Sequence, residues 1–229
     1  MSSSLAAILQ HPAIRRGDGI AQTRQETQSS GFPVLDAVLP HGGWPMGAVS
    51  ELVLPQPGSG ELTLLLPLLA EQTRRGQRVY LIKPPAVPYA PAWRNAGVQL
   101  AQLIWLDPRD EREVLWACEQ ILREPGNTVL SWFGRVPADK PCRRLQLAAE
   151  QGRNIGLMLH PESHSASSTP FGLRLGLSPA LGGIAVRVLK RRGPPVDSPI
   201  LIRRNEDVVV SLNPAAPAAR CVRAGATAL

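Results

Sequence analysis

The chain has 229 residues, with 25 Lys and Arg against 18 Asp and Glu, a net charge of +7 and a pI near 10.1. Its longest apolar run, residues 62–70, is about half of what spans a bilayer, and its three cysteines (Cys118, Cys142, Cys221) are odd in number, widely spaced and without a Cys-x-x-Cys pair. These features exclude a membrane span, a disulfide framework and a cysteine zinc site, and they predict a soluble cytoplasmic protein whose basic surplus favours an acidic partner such as nucleic acid.

Residues 1–30 open with Ser2, Ser3 and Ser4 as a helix cap before Leu5, Ala6, Ala7, Ile8 and Leu9, then turn polar, so a short helix and a flexible arm are expected. From residue 48 the pattern alternates. Strands are expected over 49–54, 78–83, 103–106, 128–132 and 155–160, and helices over 60–75, 90–96, 110–123 and 138–151. Gly76 follows the first of these helices as a left-handed terminator, and Pro67 inside it should kink it or shift its start. Short apolar runs separated by helical stretches are the pattern of a parallel sheet covered on both faces.

Residues 161–170 are Ser-rich and break this rhythm. Beyond them apolar positions alternate: Leu173, Leu175 and Leu177 share one face, and Ile184, Val186 and Val188 share another. With 200–202 and 208–210 they predict an antiparallel extension of the sheet. Residues 213–229, rich in Ala and Pro, read as a disordered tail.

The segment after the first strand carries the chemistry. Pro55, Gly58, Ser59, Gly60, Glu61, Leu62 and Thr63 match the frame of a phosphate-binding loop that opens a helix. In that frame backbone N–H groups cradle phosphates, a Lys neutralises them and a Ser/Thr hydroxyl holds magnesium. Glu61 stands where the Lys belongs and Leu62 where the hydroxyl belongs. A carboxylate repels a triphosphate, and an isobutyl group ligates no metal.

This frame resembles the recombinase RecA, from Gly31, Phe32, Pro33, Val34, Leu35 and Asp36 through the Gly42 to Gly47 turn and onward. The resemblance places the family's catalytic Glu at Pro85, its Walker B Asp near Trp132 and its γ-phosphate-sensing Gln at His160 or Pro161. It implies a RecA-like α/β core over residues 31–212, with a mostly parallel central sheet, flanking helices and antiparallel C-terminal strands. With these substitutions it implies no ATP hydrolysis, no catalytic residue, no cofactor and no metal. Two families share such a degraded core. The division inhibitor SulA, which binds FtsZ, is similar over about 50–160. ImuA, the RecA-like accessory protein of a mutagenesis cassette, is similar over about 31–212 and, unlike SulA, keeps the C-terminal strands. Resemblance to ImuA implies a role in SOS-induced translesion synthesis, with RecA and an ImuB-type polymerase homologue as partners and self-association through residues 1–30.

Lys190, Arg191 and Arg192 form the densest basic cluster. They suit a contact with a partner's nucleotide, with DNA phosphate in a sequence-independent way, or plain solvation at a strand end. Among the five tryptophans, Trp105, Trp116 and Trp132 have apolar neighbours and are expected in the core, whereas Trp44 and Trp93 flank turns or surface helices and are expected to be exposed. His160 and His164 are too isolated to form a metal site.

Overall fold

The computed structural model describes residues 25–162 and 169–203. Residues 1–24, 163–168 and 204–229 lie outside it, and with them the expected N-terminal helix, the strand at 208–210, the tail and Cys221. The first elements are a two-residue ribbon, β1 (Thr27–Gln28) paired antiparallel with β2 (Trp44–Pro45), and between them the single turn α1 (Pro33–Asp36). Eight strands then build one sheet: β3 (Ala48–Leu54), β4 (Arg78–Ile82), β5 (Leu103–Leu106), β6 (Asn127–Trp132), β7 (Ile155–Pro161), β8 (Leu173–Ala180), β9 (Gly183–Lys190) and β10 (Ile200–Arg203). Their order across the sheet is β10-β9-β8-β3-β7-β6-β4-β5. Every pair from β8 to β5 is parallel, and β9 and β10 run antiparallel at one edge. This is the α/β architecture expected, a mostly parallel sheet with an antiparallel C-terminal extension.

Helices cover both faces. On one lie α2 (Glu61–Arg74) and α3 (Ala90–Asn95), whose Leu64, Leu65, Leu68, Leu69 and Trp93 pack on Leu52, Leu54, Leu81 and Leu157. On the other lie α4 (Glu111–Arg123) and α5 (Asp139–Gly152), whose Val114, Cys118, Cys142 and Leu145 pack on Val49, Val129 and Met158. Successive strand residues point to opposite faces, so Val49 and Leu52 fall in different cores. Asp110 caps α4 by accepting from the Glu113 N–H at 2.8 Å. The other end of α4 is closed by two amides: Asn154 donates to the Leu122 and Glu124 carbonyls, and Asn127 to those of Ile121 and Glu124. Gly152 is needed there, because a Cβ would sit 2.2 Å from the Leu122 oxygen.

Pro67 lies inside α2, which runs from Glu61 to Arg74, so the proline does not shift the helix start. Its ring packs over Gly31, where a Cβ would come within 2.5 Å of it. The arm does not extend to residue 30, because residues 25–30 are packed against the core. Gln28 and Ser30 are buried, the Ser30 N–H and Ser29 hydroxyl donate to Asp36, and Gln25 donates to the Met46 carbonyl.

Three of the five tryptophans reverse expectation, whereas Trp132 is buried as expected and Trp105 is half-buried. Trp44 and Trp93 are buried, at 0% and 4% exposure, while Trp116 is 63% exposed. Val114, Ala117, Cys118, Ile121 and Leu122 make the apolar stripe of α4, and Trp116 lies about 200° around the helix from Val114 at 100° per residue. Apolar neighbours in sequence are not neighbours on a helix face. Among the described residues no helix is long and apolar enough to cross a membrane.

Candidate functional site

The degenerate loop lies where the expected frame places it, between the C-terminal end of β3 and the start of α2. Gly58 and Gly60 have φ of 85° and 101°, the left-handed region that glycine tolerates. Gly60 is fixed doubly, since a Cβ there would meet the Ile184 Cγ1 of β9 at 2.6 Å. The Ser59 hydroxyl donates to the Gln56 carbonyl at 2.5 Å. The Glu61 side chain turns back onto the loop, where its Oε1 accepts from the Gly58 N–H at 2.8 Å. Glu61 is 3% exposed, and its Oε2 is buried with no hydrogen-bond partner. Leu62 and Thr63 are half-buried on the first turn of α2.

The other positions named by the RecA resemblance gather at the same end of the sheet. Pro85 is exposed in the segment after β4, Trp132 ends β6, and His160 and Pro161 end β7. This is the end at which ligands bind in open α/β sheets. Trp132 is buried among the α2-side apolar residues, its indole N–H unpartnered.

A second cluster was not anticipated. Glu51, in the middle of β3, is fully buried and shares the face of Val49. Its Oε1 lies 2.7 Å from His160 Nε2 on β7, and its Oε2 accepts from the Thr169 hydroxyl at 2.6 Å and from Arg174 Nε on β8 at 2.7 Å. The other ring nitrogen of His160 donates to the Pro161 carbonyl at 2.8 Å. Burial pushes the Glu51 carboxyl up, but the contacts with His160, Arg174 and Thr169 outweigh it and hold the group below the usual carboxylate range. His160 is thus a partner of a buried carboxylate. A Glu inside the apolar run Ala48, Val49, Ser50, Glu51, Leu52, Val53, Leu54 was the available signal, because a charge in a buried strand needs paired groups around it.

The basic cluster divides into separate roles. The β8–β9 register shifts between Arg174 and Leu175, setting Lys190 opposite Arg174 and Val188 opposite Leu175. With this bulge Lys190 Nζ donates to the Thr169 carbonyl at 2.8 Å, joining it to the Glu51 cluster. Arg191 donates to the Pro194 carbonyl at 2.6 Å and to that of Val38. Arg192 is exposed and makes no hydrogen bond or ion pair among the described residues; it lines a cleft of about 210 Å³ with Gln146, Glu150 and Gly172. The cluster does not meet the loop within one chain. Lys190 lies level with Glu51 through Arg174, three residues before β3 ends, and the chain beyond it runs away from the loop.

Sequence comparison agrees with this architecture. RecA of Chlorobium limicola is 31% identical over 111 residues, which are 48% of this chain and 31% of that protein. RecA of Lactobacillus delbrueckii subsp. bulgaricus is 34% identical over 111 residues, 48% of this chain and 32% of that protein. The cell division inhibitor SulA of Edwardsiella piscicida is 34% identical over 113 residues, 48% of this chain and 66% of that protein. No family model matches the sequence. The chain is therefore distantly RecA- and SulA-like, and the match spans about a third of the RecA relatives and just under two thirds of the SulA relative.

Proposed function

We propose that this chain is a non-catalytic, RecA-like accessory protein of the DNA-damage response, acting in SOS-induced translesion synthesis as an adaptor between RecA and an ImuB-type polymerase homologue. Similarity to both RecA and SulA supports the damage-response setting. The observation that carries the finer reading is the β8–β9–β10 extension, continuous with the central sheet through β3, with Lys190, Arg191 and Arg192 at the end of β9. Resemblance assigns such strands to the ImuA type and not to SulA. The adaptor works by shape, offering a RecA-type surface without turnover, in the cytoplasm and with no bound cofactor. Glu61 in the Lys position and Leu62 in the hydroxyl position leave neither the cation that neutralises a γ-phosphate nor the hydroxyl that holds magnesium where the frame has them.

A SulA-like division inhibitor that binds FtsZ is the second reading, favoured by the 66% of the SulA relative that the match covers. Pull-downs with the purified full chain separate the two. Capture of RecA or the polymerase homologue, with no ATP hydrolysis with or without single-stranded DNA, is expected. Capture of FtsZ with cell filamentation would reverse the ranking, and DNA-stimulated turnover lost on mutating the loop would end the non-catalytic reading.

A further inference from the structure

We infer that the loop from Gly58 to Glu61 is an oxyanion site filled permanently by the protein's own Glu61 carboxylate. The inference deepens the non-catalytic reading, on which it rests for its meaning, though its geometry is independent of any partner. Three observations converge. The Gly58 N–H, which in a phosphate-binding loop faces the ligand, donates at 2.8 Å to Glu61 Oε1. The carboxylate is no surface group swinging past: Glu61 is 3% exposed, and the second oxygen, Oε2, is enclosed without a hydrogen-bond partner of its own. The site is also the N-terminus of the 14-residue helix α2, whose first N–H groups and dipole favour negative charge.

A carboxylate and a phosphate group present similar anionic oxygens to backbone donors. In this chain the anion is covalently attached, so its effective concentration is set by the fold and no dissociation empties the site. A free phosphate must displace it and then share the space with its charge. Gly60 pressed on Ile184 holds the loop in place, because any side chain at 60 would collide with β9. The substitution of Lys by Glu thus supplies a built-in replacement for the anion whose binding it abolishes. The loop keeps the shape of an occupied site at any nucleotide concentration.

The test uses the full chain and its Glu61→Ala variant, followed by thermal unfolding in inorganic pyrophosphate and in sodium chloride of matched ionic strength. Wild type should melt at the same temperature in both. Glu61→Ala should melt lower in chloride, and pyrophosphate should raise it again with a saturating dose dependence. A wild-type shift equal to that of the variant, or a variant indifferent to pyrophosphate, would overturn the inference. Should Glu61→Ala not fold, amide hydrogen exchange on the wild type decides. Gly58 is expected to exchange at least about tenfold more slowly than its intrinsic rate, since a charge-assisted hydrogen bond must open first; exchange at the intrinsic rate would refute it. ATP turnover by the wild type would instead sink the non-catalytic reading, a separate outcome.

Discussion

Replacing Glu51 by Gln is the most informative single perturbation of the fold. The change keeps the shape and one acceptor oxygen but removes the charge and turns an amide NH2 toward groups that donate. Glu51 is fully buried and receives contacts from His160, Thr169 and Arg174 at 2.6–2.7 Å. Breaking a buried ion pair by removing one partner costs about 3–5 kcal/mol, because the surviving charge is left uncompensated. The Arg174 side chain is 23% exposed and water recovers part of that, so about 3 kcal/mol is the expected loss. For a chain of this size that lowers the melting temperature by roughly 6–12 °C.

The loss should also depend on pH. The folded-state pKa of Glu51 is depressed, so its contribution is complete above the unfolded carboxylate value and is lost as pH falls through the lower folded value. Urea unfolding of wild type and Glu51→Gln should therefore differ most near neutral pH, and the gap should close in acid. His160, Arg174, Thr169 and, through the Thr169 carbonyl, Lys190 are the groups that face this carboxylate. A gap below about 1 kcal/mol at neutral pH, the value of an exposed pair, or one unchanged by acid would refute the reasoning.

Other measurements address other parts of the molecule. Trp44→Ala should cost about 3–5 kcal/mol in chemical denaturation and Trp116→Ala less than about 1 kcal/mol, because the first ring is wholly buried and the second largely in solvent. Burial pushes the Cys118 thiol up to about 12 and the Cys142 thiol up to about 11, so both should resist a thiol reagent at mildly alkaline pH until the chain unfolds. If the protein binds DNA through its basic strand end, Arg192→Ala should flatten the salt dependence of binding by about 0.7 in the log–log slope on single strands. Lys190→Ala should chiefly lower stability, since that side chain is already committed to the Thr169 carbonyl. An anisotropy titration beside thermal unfolding separates these two effects.

The strand and helix pattern was legible because its period is local. Strand β5 falls on the expected residues, and the other core strands and helices begin and end within two residues of expectation, apart from the three-residue overrun of β8. The Glu51 cluster was not legible in the same way. Glu51 is more than 100 residues from each of its partners, and only the parallel register of β3 between β7 and β8 brings them together. Trp116 was a misreading of available information, since the helical stripe of α4 already excluded it from the core face. The division of labour within Lys190, Arg191 and Arg192 depends on a bulge between β8 and β9, for which the sequence carries no periodic mark. The backward turn of Glu61 depends on a loop, residues 55–60, whose left-handed glycines only the folded chain defines.

The position of β3 has a consequence for how the chain reaches this state. The strand is made early and paired late: Ala48 is matched with Ile155 of β7, and Ser50 with Leu173 of β8. At roughly 5–20 residues per second of synthesis, an interval of over a hundred residues is a wait of about 5–20 s. During that time an apolar strand has both hydrogen-bonding edges unmatched; α2 shelters one face early, while the other waits for α5, which ends only at Gly152. Parallel pairing across such a separation is intrinsically slow and exposes sticky surface. A nascent chain stalled before residue 155 is therefore the species most in need of a chaperone, and a truncation that removes β7 or β8 should appear in inclusion bodies instead of as a smaller folded core.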